Sequence, residues 1–169
     1  AVVESLSHDS SRGASSLLAH IAMSDSDERV RGCAALWVIS PSRDALDLVD
    51  LSSERSAKVL IAVARRLDRT QPDSSIRLLG SLVTFPDRDV RQAAVRSLGR
   101  ISGPGVTKAL APALEDPDRM VRVFAADALA GSGDPVALGL IEDRLESEDG
   151  AVRTAMSRAL EDARNSNTS

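Results

Sequence analysis

Apolar side chains recur every three or four positions in five segments of the chain, the spacing that gives an α-helix one apolar face. In 89–100 this stripe is Val90, Ala93, Ala94, Ser97 and Leu98. The other segments are 29–40, 58–69, 120–131 and 151–162. The second residue of every segment is a valine, and consecutive valines are 29, 31, 31 and 31 residues apart. This regularity predicts an internal repeat in which each unit contains one such helix, here termed helix B.

A second, shorter apolar segment precedes each B helix and is termed helix A. These segments are 16–23, 45–51, 76–83, 106–114 and 136–145. Three residues before each repeat valine stands a residue that favours a helix N-cap, namely Asp27, Ser56, Asp87, Asp118 or Asp149. Glycine and proline follow the B helices and mark turns. No segment shows the period-two alternation of a β-strand, so we expect no β-sheet. Each repeat is therefore a pair of helices, A and B, and the fold class is all-α.

The repeat divides the chain into one continuous array without a separate second domain. Residues 1–10 are the end of a truncated repeat, 166–169 are a polar tail, and the five repeats are 11–40, 41–70, 71–102, 103–133 and 134–165. The opening AVVESLS aligns with 93–99, inside a B helix, whereas the last helix is polar away from its stripe. Since a solenoid needs polar ends, we expect the C-terminal part of a larger protein.

Repeat two departs from the pattern at three positions. Leu60 stands where the other repeats have arginine, Ser56 replaces the capping aspartate, and Arg66 lies at the edge of the stripe. Two structural outcomes are compatible with these changes. The helix is rotated about its axis, or the stacking is locally irregular.

The strings EDPDRMVRVFAADALAGSGDP (115–135) and FPDRDVRQAAVRSLGRISGP (85–104) resemble HEAT repeats, in particular the bacterial type described as phycobilisome-lyase HEAT-like. That pattern has Asp-Pro-Asp before a Val-Arg-x-x-Ala-Ala helix and Gly-Asp-Pro after it. The resemblance covers nearly the whole chain. It implies a right-handed α-α superhelix of five helix pairs plus a partial N-terminal helix, with the B helices on the concave face. Such repeats serve many unrelated tasks, so the fold alone does not give the function.

Composition narrows the classes of partner. The net charge is −4 and the pI near 5.2, whereas nucleic-acid binders usually carry a basic excess. The single cysteine, Cys33, cannot form an internal disulfide. No apolar run approaches the roughly 20 residues of a membrane helix. We therefore predict a cytoplasmic protein without membrane insertion, whose partner is a protein or peptide rather than nucleic acid.

An arginine follows the repeat valine in four repeats, at Arg31, Arg91, Arg122 and Arg153. These arginines are either a row that binds anions or a ladder that links adjacent repeats by bridging to capping aspartates such as Asp87 or Asp118. We favour the ladder, because its geometry repeats with the fold itself.

The side chain six residues after each valine should point away from the stripe; these residues are Leu36, Arg65, Arg96, Asp127 and Arg158. Stacked helices roughly 10 Å apart would align them, and Arg69 and Arg100 would widen the row. The candidate partner-binding residues are therefore Leu36, Arg65, Arg69, Arg96, Arg100 and Arg158, a basic patch for an acidic protein or peptide. The alternative is an ordinary solvated charged face. Trp37 and Cys33 fall on the stripe and are expected in the core, and Pro112 should kink its A helix.

Candidate catalytic chemistry is sparse. The histidines, His8 and His20, lack the spacing of metal ligands, so we predict no metal site, no cofactor and no catalytic residues. The prediction is a non-catalytic protein-binding scaffold. Two alternatives follow from the resemblance: a HEAT-like nucleic-acid-binding protein, because some HEAT-like DNA glycosylases bind DNA on the concave face, and a lyase-type subunit that processes a chromophore.

Overall fold

The structure, a computed structural model, describes residues 2–7, 9, 11–39, 54–67, 72–103, 105–148 and 150–166. Its helices are α1 (Val2–Ser7), α2 (Arg12–Ser24), α3 (Glu28–Val38), α4 (Ala57–Arg66), α5 (Pro72–Leu82), α6 (Arg88–Leu98), α7 (Val106–Leu110), α8 (Arg119–Ala130), α9 (Pro135–Leu145) and α10 (Gly150–Ser166), with a 3₁₀ helix (Ala111–Glu115) after α7. These ranges contain no β-strand, which confirms the all-α prediction. The predicted A helix at 45–51 lies outside the described residues. Within them, no helix is long and apolar enough to cross a bilayer.

The B helices begin where the capping residues predicted. The side chains of Asp27, Asp87 and Asp118 accept hydrogen bonds from backbone N–H groups in the first turns of α3, α6 and α8, which satisfies donors that lack a helical partner. Ser56 is also an N-cap residue, but its side chain does not bond to the helix backbone. Its hydroxyl instead donates to the Glu28 carboxylate at 2.7 Å. Asp149 lies outside the described residues.

Helices α3, α4, α6, α8 and α10 pack side by side in chain order, each against the next. Four repeat valines are buried in one core, whereas Val30 of α3 is partly exposed; the buried four are Val59, Val90, Val121 and Val152. Small residues bring the helices close together: a Cβ added to Gly99, the C-cap residue of α6, would lie 2.8 Å from the Cβ of Ala128 in α8. The array therefore depends on small side chains where one B helix meets the next.

The A helices form a second layer: α2, α5, the α7 segment and α9 pack against B helices. The α7 segment changes from α to 3₁₀ geometry at Ala111, one residue before Pro112. Because proline has no N–H to donate to the carbonyl four residues earlier, the α pattern cannot continue through it. The expected kink at Pro112 thus takes the form of a change in helix type.

Repeat two keeps its stripe directed inward. Val59, Leu60, Val63 and Leu67 are all buried, and Arg66 is exposed. The helix therefore accommodates Leu60 as a core residue.

The prediction that Trp37 and Cys33 belong to the core is wrong: Trp37 is 41% exposed and Cys33 is exposed. Leu36, expected to point outward, is instead half-buried against the core. Cys33 and Trp37 lie on the side of α3 that faces the preceding B helix. Ala128 of α8 faces Gly99 at the end of α6 in the same way. On α3 that neighbour is the short α1, and a cavity of about 500 Å³ remains between them.

Candidate protein-binding groove

The arginines that follow the repeat valines join successive repeats. Arg91 donates from Nε to Asp116 Oδ2 at 2.6 Å and from Nη2 to Asp116 Oδ1 at 2.9 Å. Its Nη1 donates to the backbone carbonyls of Phe85 and Pro86. Two further pairs repeat the two-pronged contact with a carboxylate, Arg31 with Glu54 and Arg122 with Glu148. These arginines therefore form an arginine ladder that ties a B helix to the loop before the next B helix.

The ladder prediction needs one correction, because the acceptor is not the capping aspartate. Asp116 lies two residues before the cap Asp118, and Glu54 lies two residues before the cap Ser56. The Asp118 carboxylate already accepts from the backbone amides of α8, whereas Asp116 can receive the guanidinium and also accepts from the Asp118 N–H at 2.8 Å. Each of the two carboxylates thus has its own set of donors.

The ladder carboxylates are held in their charged form. Burial raises the pKa of Asp116 and of Glu54, but hydrogen bonds from arginine and from backbone amides outweigh it, so both pKa values lie below the ordinary range. The pKa of Glu148 is lowered mainly by its hydrogen bond with Arg122, with a further contribution from Arg144. Because these guanidinium groups are engaged by carboxylates and loop carbonyls, the ladder is part of the fold and not a row of anion sites.

The predicted outward row places three of its arginines on neighbouring helices. Arg100 Nη2 donates to the backbone carbonyl of Arg65 at 3.4 Å and to Ser97 Oγ at 3.1 Å, which links α6 to α4. The Arg96 guanidinium lies over the ring of Phe124 in α8, 4.0 Å from its centroid, in cation–π contact. Arg65, Arg96 and Arg100 are exposed, and Arg96 and Arg100 line one cavity, with the backbone of Arg65 in contact with Arg100.

Two adjoining cavities lie between the B helices on this surface. The first, about 500 Å³, lies between α6 and α8 and is lined by Arg96, Gly99, Arg100, Phe124, Asp127, Ala128 and Gly131. The second, about 660 Å³, lies between α8 and α10 and is lined by Val123, Phe124, Asp127, Ala151, Thr154, Ala155, Arg158, Ala159 and Asp162. Phe124 and Asp127 line both cavities. The two cavities therefore adjoin at α8, and together they are here named the B-helix groove.

Charge changes along the B-helix groove. Its α6 end carries Arg96 and Arg100, with Arg65 of α4 beside them. Its α10 end carries Arg158 and Asp162, whose Nε and Oδ2 atoms are 3.8 Å apart, and Asp127 lies between the ends. The groove is thus basic at one end and mixed in charge at the other.

Not every predicted site residue belongs to this groove. Leu36 lies on α3 against the core, and Arg69 lies outside the described residues. Phe124 is not among the residues predicted for the site, because it lies on the apolar stripe of 120–131. It is in fact half-buried and lines both cavities. In the part of the chain that the structure describes, no group of three or more His, Cys, Asp or Glu side chains is arranged to hold a metal ion.

Comparisons with known proteins address the fold. A family described as HEAT repeats matches residues 45–118 and 107–168; the phycobilisome-lyase type stays a prediction. No functionally curated protein matches the chain. The crystal structure of an engineered protein from the Northeast Structural Genomics Consortium is similar, with TM-score 0.52 and 23% identity over 97% of this chain and 87% of that one. A designed armadillo repeat protein in complex with the peptide (KR)4 gives TM-score 0.53 and 16% identity, over 95% of this chain and 97% of that one.

Proposed function

Because the chain belongs to the HEAT repeat family, we propose that it is a non-catalytic scaffold that binds another protein along the B-helix groove. The observation that carries this proposal is that two cavities between successive B helices adjoin at α8, where Phe124 and Asp127 line both. A stable protein interface buries roughly 800 Å² on each partner, and a groove that crosses several stacked helices offers an elongated surface for it.

The charge of the groove supports an acidic segment of protein as the partner. Arg65, Arg96 and Arg100 present three guanidinium groups on adjoining helices, and guanidinium groups bind carboxylates well. The designed armadillo repeat protein holds a basic peptide, and the arginines here favour the opposite charge. Arg158 lies at the mixed-charge end of the groove, and Arg69, outside the described residues, stays a prediction from the sequence.

A nucleic acid is the competing polyanion. Sequence-tolerant binding of single strands relies on several aromatic side chains on which bases stack. In the groove Phe124 is the aromatic residue present, and the Arg96 guanidinium covers one face of its ring. This arrangement favours protein over nucleic acid.

The proposal is tested by fluorescence anisotropy with three labelled probes of equal length: an alternating Asp-Glu peptide, an alternating Lys-Arg peptide and single-stranded DNA. We expect the acidic peptide to bind more tightly than the basic one at physiological ionic strength. The charge-reversal variant Arg65→Glu/Arg96→Glu should weaken acidic-peptide binding by tenfold or more, since rim charges dominate encounter and specificity.

The matched control is Arg12→Glu/Lys108→Glu, which changes the net charge equally on exposed positions of the A helices α2 and α7. It should leave peptide affinity within about twofold of the unmodified chain. Equal weakening by both double variants would mean that net charge and not the groove attracts the peptide. Tighter binding of the DNA than of the acidic peptide would indicate that the partner is a nucleic acid and not a protein.

A further inference from the structure

We infer that the partner inserts one large apolar side chain, such as Phe or Leu, into the cavity between α8 and α10, with its acidic residues on the α6 and α4 side of that anchor. The inference rests on the proposed function and adds the pattern of residues that the groove selects. Both the walls and the rim of this cavity contribute to the argument.

The cavity between α8 and α10 is built mainly from apolar side chains. Val123 and Phe124 come from α8, and Ala151, Ala155 and Ala159 come from α10. The alanines leave the space of about 660 Å³ open where larger side chains would fill it. An apolar side chain of the partner would bury its surface against these walls, which is favourable because it removes apolar area from water.

The rim of the same cavity excludes an acidic occupant. Two carboxylates, Asp127 and Asp162, line it with one arginine, Arg158, whose Nε lies 3.8 Å from Asp162 Oδ2, so the charged lining is net negative, whereas the cavity between α6 and α8 has two arginines and only Asp127. Carboxylates of the partner would be repelled here and attracted at the α6 end, where Arg96 and Arg100 lie. Charge complementarity therefore orders the partner as an acidic stretch followed, toward α10, by an apolar anchor.

The spacing between anchor and acidic stretch follows from the stacking of the helices. Neighbouring packed helices are separated by about 8–10 Å, and an extended chain advances about 3.3 Å per residue. An anchor between α8 and α10 is one helix away from the cavity that Arg96 and Arg100 line. The anchor should therefore lie about three positions along the extended partner from its nearest acidic residue, with two residues between them.

The test compares peptides that differ only at the anchor. One carries a run of alternating Asp and Glu, a Gly-Ser spacer and a terminal Phe; its counterpart carries Ala in place of the Phe, and both are made in the two chain directions. We expect one direction of the Phe peptide to bind the full chain about tenfold more tightly than its Ala counterpart, from the area that a buried Phe removes from water.

Two variants locate the anchor. Ala151→Gln fills the cavity from an exposed position of α10, and Phe124→Ala removes its aromatic wall. Each should reduce the preference for Phe over Ala to less than about threefold, while the Ala peptide binds as before to the Gln variant. Val136→Gln, at a position 65% exposed on α9, is the matched control and should keep the full preference. Circular dichroism establishes that each variant is folded. If the Phe124→Ala variant does not fold, the Ala151→Gln variant alone tests the position of the anchor.

Failure of the inference is distinct from failure of the proposed function. Equal binding of the Phe and Ala peptides, or a preference unaffected by Ala151→Gln, would overturn the anchor and leave a groove that binds acidic peptides by charge alone. Absence of binding by every acidic peptide would overturn both.

Discussion

Two junctions between consecutive B helices are held together by different chemistry. At the α6–α8 junction, Arg91 and Asp116 form an ion pair whose side chains are 11% and 3% exposed. At the α4–α6 junction, the equivalent positions hold Leu60 and Phe85, one residue after one repeat valine and five before the next. Leu60 is fully buried and Phe85 is half-buried against the same core. Both pairs are separated by 25 residues along the chain.

Both positions are apolar at this junction and both are charged at the α6–α8 junction. An arginine at position 60 would be buried in the core, and an acid at position 85 would lie half-buried against it, so either change alone would place a charge there without a partner. A buried ion pair and a well-packed apolar pair can be close in net stability, because desolvation offsets much of the Coulomb attraction. The departure of repeat two is therefore a substitution of one kind of contact for another.

The largest effect that separates the two kinds of junction is expected at acid pH. The pKa values of Glu54, Asp116 and Glu148 are lower in the folded chain than in the unfolded one, so these groups stabilise the fold fully above about pH 4–5. As pH falls through the unfolded and then the folded pKa values, that stability is lost. The side chains of Leu60 and Phe85 do not titrate.

The measurement is urea denaturation followed by far-UV circular dichroism between about pH 6 and pH 3. The free energy of unfolding should decrease below about pH 4, and it should decrease less steeply in a variant that lacks the Asp116 carboxylate. Stability that rises as pH falls from 6 to 3 would contradict the lowered pKa values.

Removal of one ladder carboxylate should give the next largest effect. Asp116→Ala leaves the Arg91 guanidinium without its acceptor in a buried site and also removes the bond to the Asp118 N–H. We expect a loss of about 3–5 kcal/mol in the free energy of unfolding. The control Asp143→Ala, exposed on α9, should change it by less than about 0.5 kcal/mol. A loss below about 1 kcal/mol at Asp116 would mean that the pair contributes little.

The smallest net effect is expected when the ionic junction is converted into the apolar one. The double variant Arg91→Leu/Asp116→Phe reproduces the pair found at Leu60 and Phe85. It should be destabilised by less than about 1.5 kcal/mol, and by less than either single variant, because neither member is left unmatched. A double-mutant cycle measures this coupling. Simple addition of the two single effects would show that the two positions are independent.

Local rules predicted most of the fold. The starts of α3, α6 and α8 follow from capping aspartates, because a cap acts on residues within the first turn of its helix. The repeat length follows from the regular spacing of the valines. The burial of Trp37 and Cys33 was predicted wrongly, since it depends on how much of α3 the short α1 covers. The ladder acceptors were also misassigned, because the reach of Arg91 to Asp116 is set by the loop between repeats.

The residues of the candidate groove were likewise predicted only in part from the sequence. Outward positions such as Arg65 and Arg96 follow from helical periodicity alone. The exposure of Phe124 in two cavities does not, because it depends on how closely α6, α8 and α10 approach one another.

The amino-acid sequence by itself determined that this chain is a row of helix pairs and where each B helix starts, because hydrophobic period and caps act over a few residues. The tertiary structure decided which acid each arginine of the ladder meets, which face of α3 stays exposed, and where cavities open between B helices. Those features depend on distances between segments more than 20 residues apart, which stacking sets and local pattern does not encode.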